Sequence, residues 1–171
     1  MKILMVVAKE DFKDEEFQVP YDYFIQNGYS VDVASTKKGN CFGVSGTVIT
    51  ADLSFEEVKA NEYLGIVLVG GPGSRTLVGD RALEQLLHKM NELNMVVAAI
   101  CYSPVILARA GLLKNKKATV WNGDGKQKPL LVAEGARYVE ESVVVYQKLI
   151  TGNGPGAALE FAKEVIKIIE K

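Results

Sequence analysis

Histidine is nearly absent from this 171-residue chain, which has one, His88, and cysteine occurs only twice, at Cys41 and Cys101. Two cysteines cannot build a disulfide framework, and a single histidine with no Cys/His cluster leaves no zinc-ligand spacing, so no metal and no cofactor is expected. An excess of either charge is also missing: 20 basic residues stand against 21 acidic ones, for a net charge of -1. Without a basic stripe there is no footprint for nucleic acid, and a membrane-surface helix is not expected. Long apolar runs are lacking too. Leu64 to Val69 and Met95 to Ile100 fall far short of the roughly 18 residues that a membrane span needs, and Lys9, Glu10 and Asp11 cut off the first strand before it resembles a leader. These absences predict a cytoplasmic protein forming one domain over residues 1–171, with a small molecule or another protein as its substrate.

What is present is a regular alternation of strands and helices. Met1 to Ala8 reads as a strand, Lys9 to Asp14 as a polar loop, and Glu15 onward as a helix carrying Phe17, Tyr21, Phe24 and Ile25 up to Gly28, with Pro20 either kinking it or marking its regular start. Tyr29 to Ala34 is a second strand and Val44 to Thr50 a weak hairpin. Ser54 to Glu57 forms a capping box before a short helix. Gly65 to Val69 runs into Gly70-Gly71-Pro72-Gly73-Ser74, a loop that suits either a bound anion or a tight turn. Asp80 to Leu93 is an amphipathic helix, with Leu83, Leu86, Leu87 and Met90 on one face. Later pieces are Ala118 to Trp121 as a strand, Pro129 to Ala133 as a helix, Ala136 to Val139 as an extended piece, and a hairpin turning at Gln147-Lys148. A second Gly-rich loop spans Gly152 to Gly156, and the final helix, Ala157 to Glu170, buries Phe161, Val165, Ile166 and Ile169. Strands alternating with helices specify a mostly parallel, doubly wound α/β sheet covered on both faces.

One stretch organises the rest. Met95 to Ile100 is an apolar strand, Cys101 follows at once, and Tyr102-Ser103-Pro104 opens a helix ending at Gly111. A residue on such a strand-to-helix corner projects at the carboxyl edge of the sheet, where open α/β sheets bind ligands, and sits near the positive end of the next helix. That is a nucleophile elbow with sulfur in place of oxygen. The competing reading is a small buried hydrophobe. Cys41, in a loop-like Gly/Asn stretch, reads as incidental.

A thiol nucleophile needs a proton acceptor. His88 falls on the Asp80 to Leu93 helix surface, and a tyrosine such as Tyr102 cannot replace imidazole as a base at neutral pH, since an unperturbed phenol has a pKa of about 10. The first βα loop offers Glu15 and Glu16, either of which can reach Cys101 across a parallel sheet. An ionised carboxylate raises a neighbouring thiol pKa, whereas a neutral one donates to the thiolate. The spacing alone fits a solvated first helical turn better.

These residues together resemble the DJ-one/PfpI (ThiJ/PfpI) superfamily: Glu16-Phe17-Gln18-Val19-Pro20, Val67-Leu68-Val69-Gly70-Gly71, Ala98-Ala99-Ile100-Cys101 with Pro104, and Gly154-Pro155-Gly156 before Glu160-Phe161-Ala162. The resemblance implies a flavodoxin-like three-layer sandwich, a homodimer or higher homo-oligomer, and a reactive cysteine, and it selects Glu16, four residues before Pro20, over Glu15. It also implies oxyanion roles for the backbone N–H groups of Gly71 and Tyr102, and a pocket including Gly70, Trp121, Asn153, Gly154 and Pro155. Three positions depart from the family's pattern. Tyr102 stands where PfpI-type proteases carry histidine, Trp121 where DJ-one-type members carry one, and Asn153 where arginine is frequent. The expected activity is therefore glyoxalase- or deglycase-like chemistry on small reactive carbonyls in a stress response. The alternative is a redox sensor or chaperone that oxidises the same cysteine, and peptidase activity is disfavoured without the adjacent histidine.

Overall fold

The chain was analysed as a computed structural model that describes residues 1–171. Its first apolar run forms β1 (Lys2–Val6), followed by a three-residue strand β2 (Glu10–Phe12) and by α1 (Asp14–Gln26). Half of the Lys9 to Asp14 loop expected from its polarity is thus strand, because Glu10 and Phe12 pair with a hairpin distant in sequence. Pro20 lies inside α1, where it supplies no N–H to the Glu16 carbonyl four residues back, yet the helix continues. Ile25 faces solvent, while Phe17 and Phe24 are buried.

Next come β3 (Ser30–Ser35), the hairpin β4 (Gly39–Gly43) and β5 (Val48–Ala51), and the short β6 (Leu53–Ser54). The hairpin is longer than its weak alternation suggests. The capping box is present, with the Ser54 N–H donating to Glu57 Oε2 at 2.9 Å, but it opens only a 3-10 turn. β7 (Gly65–Leu68) leads through the Gly-rich loop into a 3-10 segment, Pro72–Leu77. α2 (Arg81–Glu92) starts at Asp80, whose side chain accepts from the Leu83 N–H at 2.9 Å. Its face of Leu83, Leu86, Leu87 and Met90 is buried as its periodicity predicts.

The elbow follows as β8 (Val96–Ile100) and α3 (Pro104–Arg109). β9 covers only Lys117–Ala118, so the strand expected to run from Ala118 to Trp121 stops short and Trp121 lies beyond it. Then come α4 (Gln127–Ala133), β10 (Arg137–Tyr138), the hairpin β11 (Val143–Tyr146) and β12 (Leu149–Gly152), and α5 (Ala158–Ile169). In α5 it is Ile168, rather than Ile169, that is buried with Phe161, Val165 and Ile166.

The main sheet runs β11-β12-β8-β7-β1-β3-β6, with every neighbouring pair parallel except β11 with β12. Its five central strands, β3-β1-β7-β8-β12, follow the flavodoxin-like order 2-1-3-4-5. β7 and β8 are buried along their whole length because both faces of the sheet are covered. One apolar layer packs α1 and α5 against Met5, Val67, Ala98 and Ile150; the other packs α2, α3 and α4 against Leu4, Leu68, Val97 and Ala99. No helix is long and apolar enough to cross a membrane.

The strand order reverses beside β1, and the chain leaves the carboxyl ends of β1, β7 and β8 into loops at that same edge. A crevice at such a switch point is where doubly wound sheets bind ligands.

Candidate active site

Cys101 has φ +63, a left-handed conformation that a non-glycine residue adopts at a cost of about 1–3 kcal/mol. Its backbone is pinned on both sides: its N–H donates to the Gly152 carbonyl at 2.9 Å, and its carbonyl accepts from the Trp121 N–H at 2.8 Å. Ser103, fully buried, donates from Oγ to the Val69 carbonyl at 2.8 Å and ties the elbow to the end of β7. This strained turn lifts the sulfur out of the sheet plane into a cavity of about 270 Å³.

Glu16 reaches the same point from the first turn of α1. Its side chain is completely buried, and Oε2 accepts from the Gly70 N–H at 2.9 Å, while Oε1 has no hydrogen-bond partner in the protein. Glu15, one residue away, is exposed and pairs with Lys13 at 3.7 Å. Burial therefore separates two adjacent carboxylates that look alike in sequence. Gly70 is the wedge between Glu16 and Cys101. A Cβ there would lie 2.5 Å from Glu16 Oε2 and 2.6 Å from the Cys101 Cβ, so no larger residue leaves the two side chains together. Gly71, at φ +108, turns the chain so that its N–H and that of Tyr102 both face the sulfur.

Burial pushes the Glu16 carboxyl up to about 7, against the pull of the thiol and the Gly70 N–H. Burial also pushes the Cys101 thiol up, to about 12, with the adjacent Glu16 carboxylate adding to the rise and the Gly71 and Tyr102 N–H groups opposing it. The sequence suggested that the following helix would favour a thiolate. That contribution is small, because α3 has only six residues and begins three positions after the cysteine. The pair is a proton-sharing unit in which the carboxyl ionises first.

The cavity is lined by Lys13, Glu16, Gly71, Pro72, Arg75, Cys101, Tyr102, Trp121 and Pro155. Gly70 and Gly154, expected in the pocket, do not line it: Gly70 lies between Glu16 and Cys101, and Gly154 stands behind Trp121, whose Cδ1 lies 3.7 Å from where a Gly154 Cβ would be. Asn153 does not belong to it. It is exposed, and its N–H is held by the Ser142 carbonyl at 2.9 Å. His88 is exposed on α2 and contributes nothing to the lining, and Cys41 is buried in the apolar layer beneath α1 and α5, outside the cavity. A larger groove of about 530 Å³ between Phe55–Val58 and α2 holds none of these groups.

Nothing local in the sequence singles out Lys13 or Arg75; Pro72 belongs to the Gly-rich loop, whose anion reading pointed in their direction. β2 brings them in. The Lys13 N–H donates to the Gly70 carbonyl at 3.0 Å, and Gly73 packs against the Glu10 carbonyl. Asp14 holds the neighbouring hairpin, with Oδ2 accepting from Ser45 N–H at 2.8 Å and Oδ1 from Thr47 N–H at 3.0 Å. No cluster of three or more His, Cys, Asp or Glu side chains is arranged to hold a metal.

The family model described as the DJ-1/PfpI family matches residues 1–168. An uncharacterized protein of Methanocaldococcus jannaschii is 46% identical over 171 residues, covering 99% of this chain and 83% of that protein. A protein of Pyrococcus furiosus named deglycase PfpI is 33% identical, covering 99% of this chain and 100% of its own length. Among solved structures, a ThiJ/PfpI domain protein from Brachyspira murdochii superposes with a TM-score of 0.94 at 32% identity, covering 99% of this chain and 96% of that one.

Proposed function

The chain belongs to the DJ-1/PfpI family, and from that premise we propose that it is a cysteine-dependent enzyme acting on small reactive carbonyls, either free 2-oxoaldehydes or their adducts on proteins. The observation that carries this reading is the pairing of a thiol at an elbow with a buried carboxyl that titrates near neutrality and keeps one oxygen unpartnered. A relative named a deglycase supports the same substrate class.

In this mechanism the Cys101 sulfur adds to an aldehyde carbon as the thiol proton passes to the Glu16 carboxylate. The carbonyl electron pair moves to oxygen, which receives that proton and accepts from the N–H groups of Gly71 and Tyr102, giving a hemithioacetal. With a 2-oxoaldehyde, Glu16 as carboxylate then takes the hydrogen from the former aldehyde carbon. Returning it to the neighbouring carbon, while the hydroxyl proton of the hemithioacetal passes to the neighbouring oxygen, yields a 2-hydroxy thioester, and water releases a 2-hydroxy acid and the free thiol. A carboxyl that ionises near neutrality suits both directions of transfer. Peptide hydrolysis finds no support, since the lone imidazole is on α2 and outside the cavity.

The test is methylglyoxal consumption by the wild type and by Cys101→Ala, with the 2-hydroxy acid product measured directly. Loss of turnover in the variant is expected. Undiminished turnover in Cys101→Ala would sink the reading, and no turnover in either protein, with peroxide selectively oxidising Cys101, would replace it with a redox role.

A further inference from the structure

Apart from Glu16, the charges around the cavity are both positive: Lys13 on one wall and Arg75 on another, with Gly71, Pro72, Trp121 and Pro155 carrying none. Lys13 is partly neutralised by Glu15 at 3.7 Å. Arg75 has no carboxylate within ion-pair distance, and none of its donors is used by the chain. Its guanidinium lies 4.5 Å above the ring of Tyr102, the residue that follows the nucleophile. A contact with a ring face uses none of the five N–H donors as a hydrogen bond to a carboxylate, so the guanidinium keeps its capacity to bind a carboxylate in bidentate fashion. The stack also keeps a cation beside Cys101 without committing it to any group of the protein. A cavity of about 270 Å³ holds about nine water-sized groups at roughly 30 Å³ each, so a charge on a substrate that fits it lies within a few bonds of the reacting carbon.

We propose that Arg75, assisted by Lys13, is a carboxylate-recognising subsite next to Cys101, and that the preferred carbonyl substrates carry a carboxylate attached to the reacting carbonyl carbon or one carbon further along. This rests on the carbonyl reading for its substrate, but the anion subsite itself is testable without turnover. In a Cys41→Ser background, Cys101 is alkylated at low salt with iodoacetate and with iodoacetamide, two probes of similar size that differ in charge. The ratio of the two rates is divided by that of a small neutral thiol, so any change in thiol ionisation cancels.

The normalised ratio is expected to exceed one by roughly five- to tenfold, the effect of one nearby cation at a partly solvated site. It should fall toward one in Arg75→Gln, be largely retained in Arg75→Lys, and decline with salt. Glyoxylate should protect Cys101 from iodoacetamide at lower concentration than glyoxal does, and this advantage should vanish in Arg75→Gln. A wild-type ratio at or below one, a ratio unchanged by Arg75→Gln, or equal protection by the two aldehydes would overturn the proposal. A high ratio without turnover of any carbonyl refutes the enzymatic reading and leaves the anion subsite standing, whereas turnover of neutral aldehydes with a ratio of one does the reverse.

Discussion

Replacing Glu16 by Gln should make Cys101 more reactive toward alkylation while abolishing carbonyl turnover, two effects of opposite sign from one atom exchange. The glutamine retains an acceptor for the Gly70 N–H, bonded at 2.9 Å in the native chain, and removes the ionisable group. In the native pair the carboxyl ionises at about 7 and the thiol, beside the carboxylate, at about 12. Two unit charges at hydrogen-bonding range repel by about 4 kcal/mol at an effective dielectric of about 20, roughly a thousandfold in an ionisation equilibrium. With the carboxyl neutral, the thiol therefore ionises about a thousandfold more readily. At pH 8 the native pair has lost one proton, and in about one molecule in a hundred the remaining proton is on Glu16 with the charge on sulfur. In Glu16→Gln about one molecule in ten carries a thiolate at that pH, so iodoacetamide should react about tenfold faster. The pH profiles differ as well. The native rate should rise through about pH 7 and then level off, following the carboxyl, whereas the variant's rate should keep climbing to about pH 9. Turnover should fall by about 10²–10⁴-fold, the usual contribution of a general acid–base group. Stopped-time alkylation with mass detection, from pH 6 to 10 and with Cys41 replaced by Ser, measures the first effect. Superimposable profiles would show that Glu16 and Cys101 do not share a proton, and the mechanism built on that sharing would fall.

The same substitution should also change stability. The Glu16 carboxyl goes from an ordinary value of 4.5 to about 7 on folding, so its ionisation opposes the fold: the penalty is absent below pH 4.5 and grows as pH rises through about 7. Urea unfolding should therefore find Glu16→Gln more stable than wild type by up to about 3 kcal/mol at pH 8, with the two converging near pH 4. Gly70→Ala should push Glu16 and Cys101 apart, lowering turnover more than a hundredfold at a stability cost of about 1–3 kcal/mol, to be read from paired kinetic and thermal measurements. For Asp14, burial raises the carboxyl, but the bonds from Thr47 and Ser45 outweigh it and leave it below its ordinary value, so its contribution is present at neutral pH and lost on acidification. Asp14→Ala, which leaves the Ser45 and Thr47 N–H groups unpaired, should cost about 2–3 kcal/mol in urea unfolding at pH 7 and progressively less below pH 4.

Much of the architecture was legible in local pattern. The apolar runs that became β1, β7 and β8, the buried face of α2 and the hairpin at Gln147-Lys148 each follow from periodicity and turn chemistry within a dozen residues. The cysteine at the strand-to-helix corner was legible for the same reason, since an apolar strand running directly into Cys101 and a Pro104 helix start leaves the chain little other geometry. Elements that depend on distant partners were not. β2 exists because Glu10 and Phe12 pair with Phe42 and Gly43, and nothing in Lys9 to Asp14 itself announces it. Trp121 lies past the end of β9, and Asn153 falls outside the cavity, because their positions are fixed by bonds to Cys101 and Ser142 rather than by local propensity.

The chemistry of the site divides along the same line. Local pattern supplied two neighbouring carboxylates and a thiol, and the resemblance selected Glu16; the packed structure supplied the physical reason, a fully buried Glu16 beside an exposed Glu15, because α1 turns successive side chains through different environments and desolvation acts on one alone. The sequence could state that a carboxylate beside sulfur raises its pKa and that a helix end lowers it. Tertiary structure decided between them, by shortening α3 to six residues and burying both groups around Gly70, so that the thiol rises. Lys13 and Arg75 joined the cavity for the corresponding reason: charge is recorded in the sequence, but its distance from a nucleophile is set by how loops from β1 and β7 meet at one edge of the sheet.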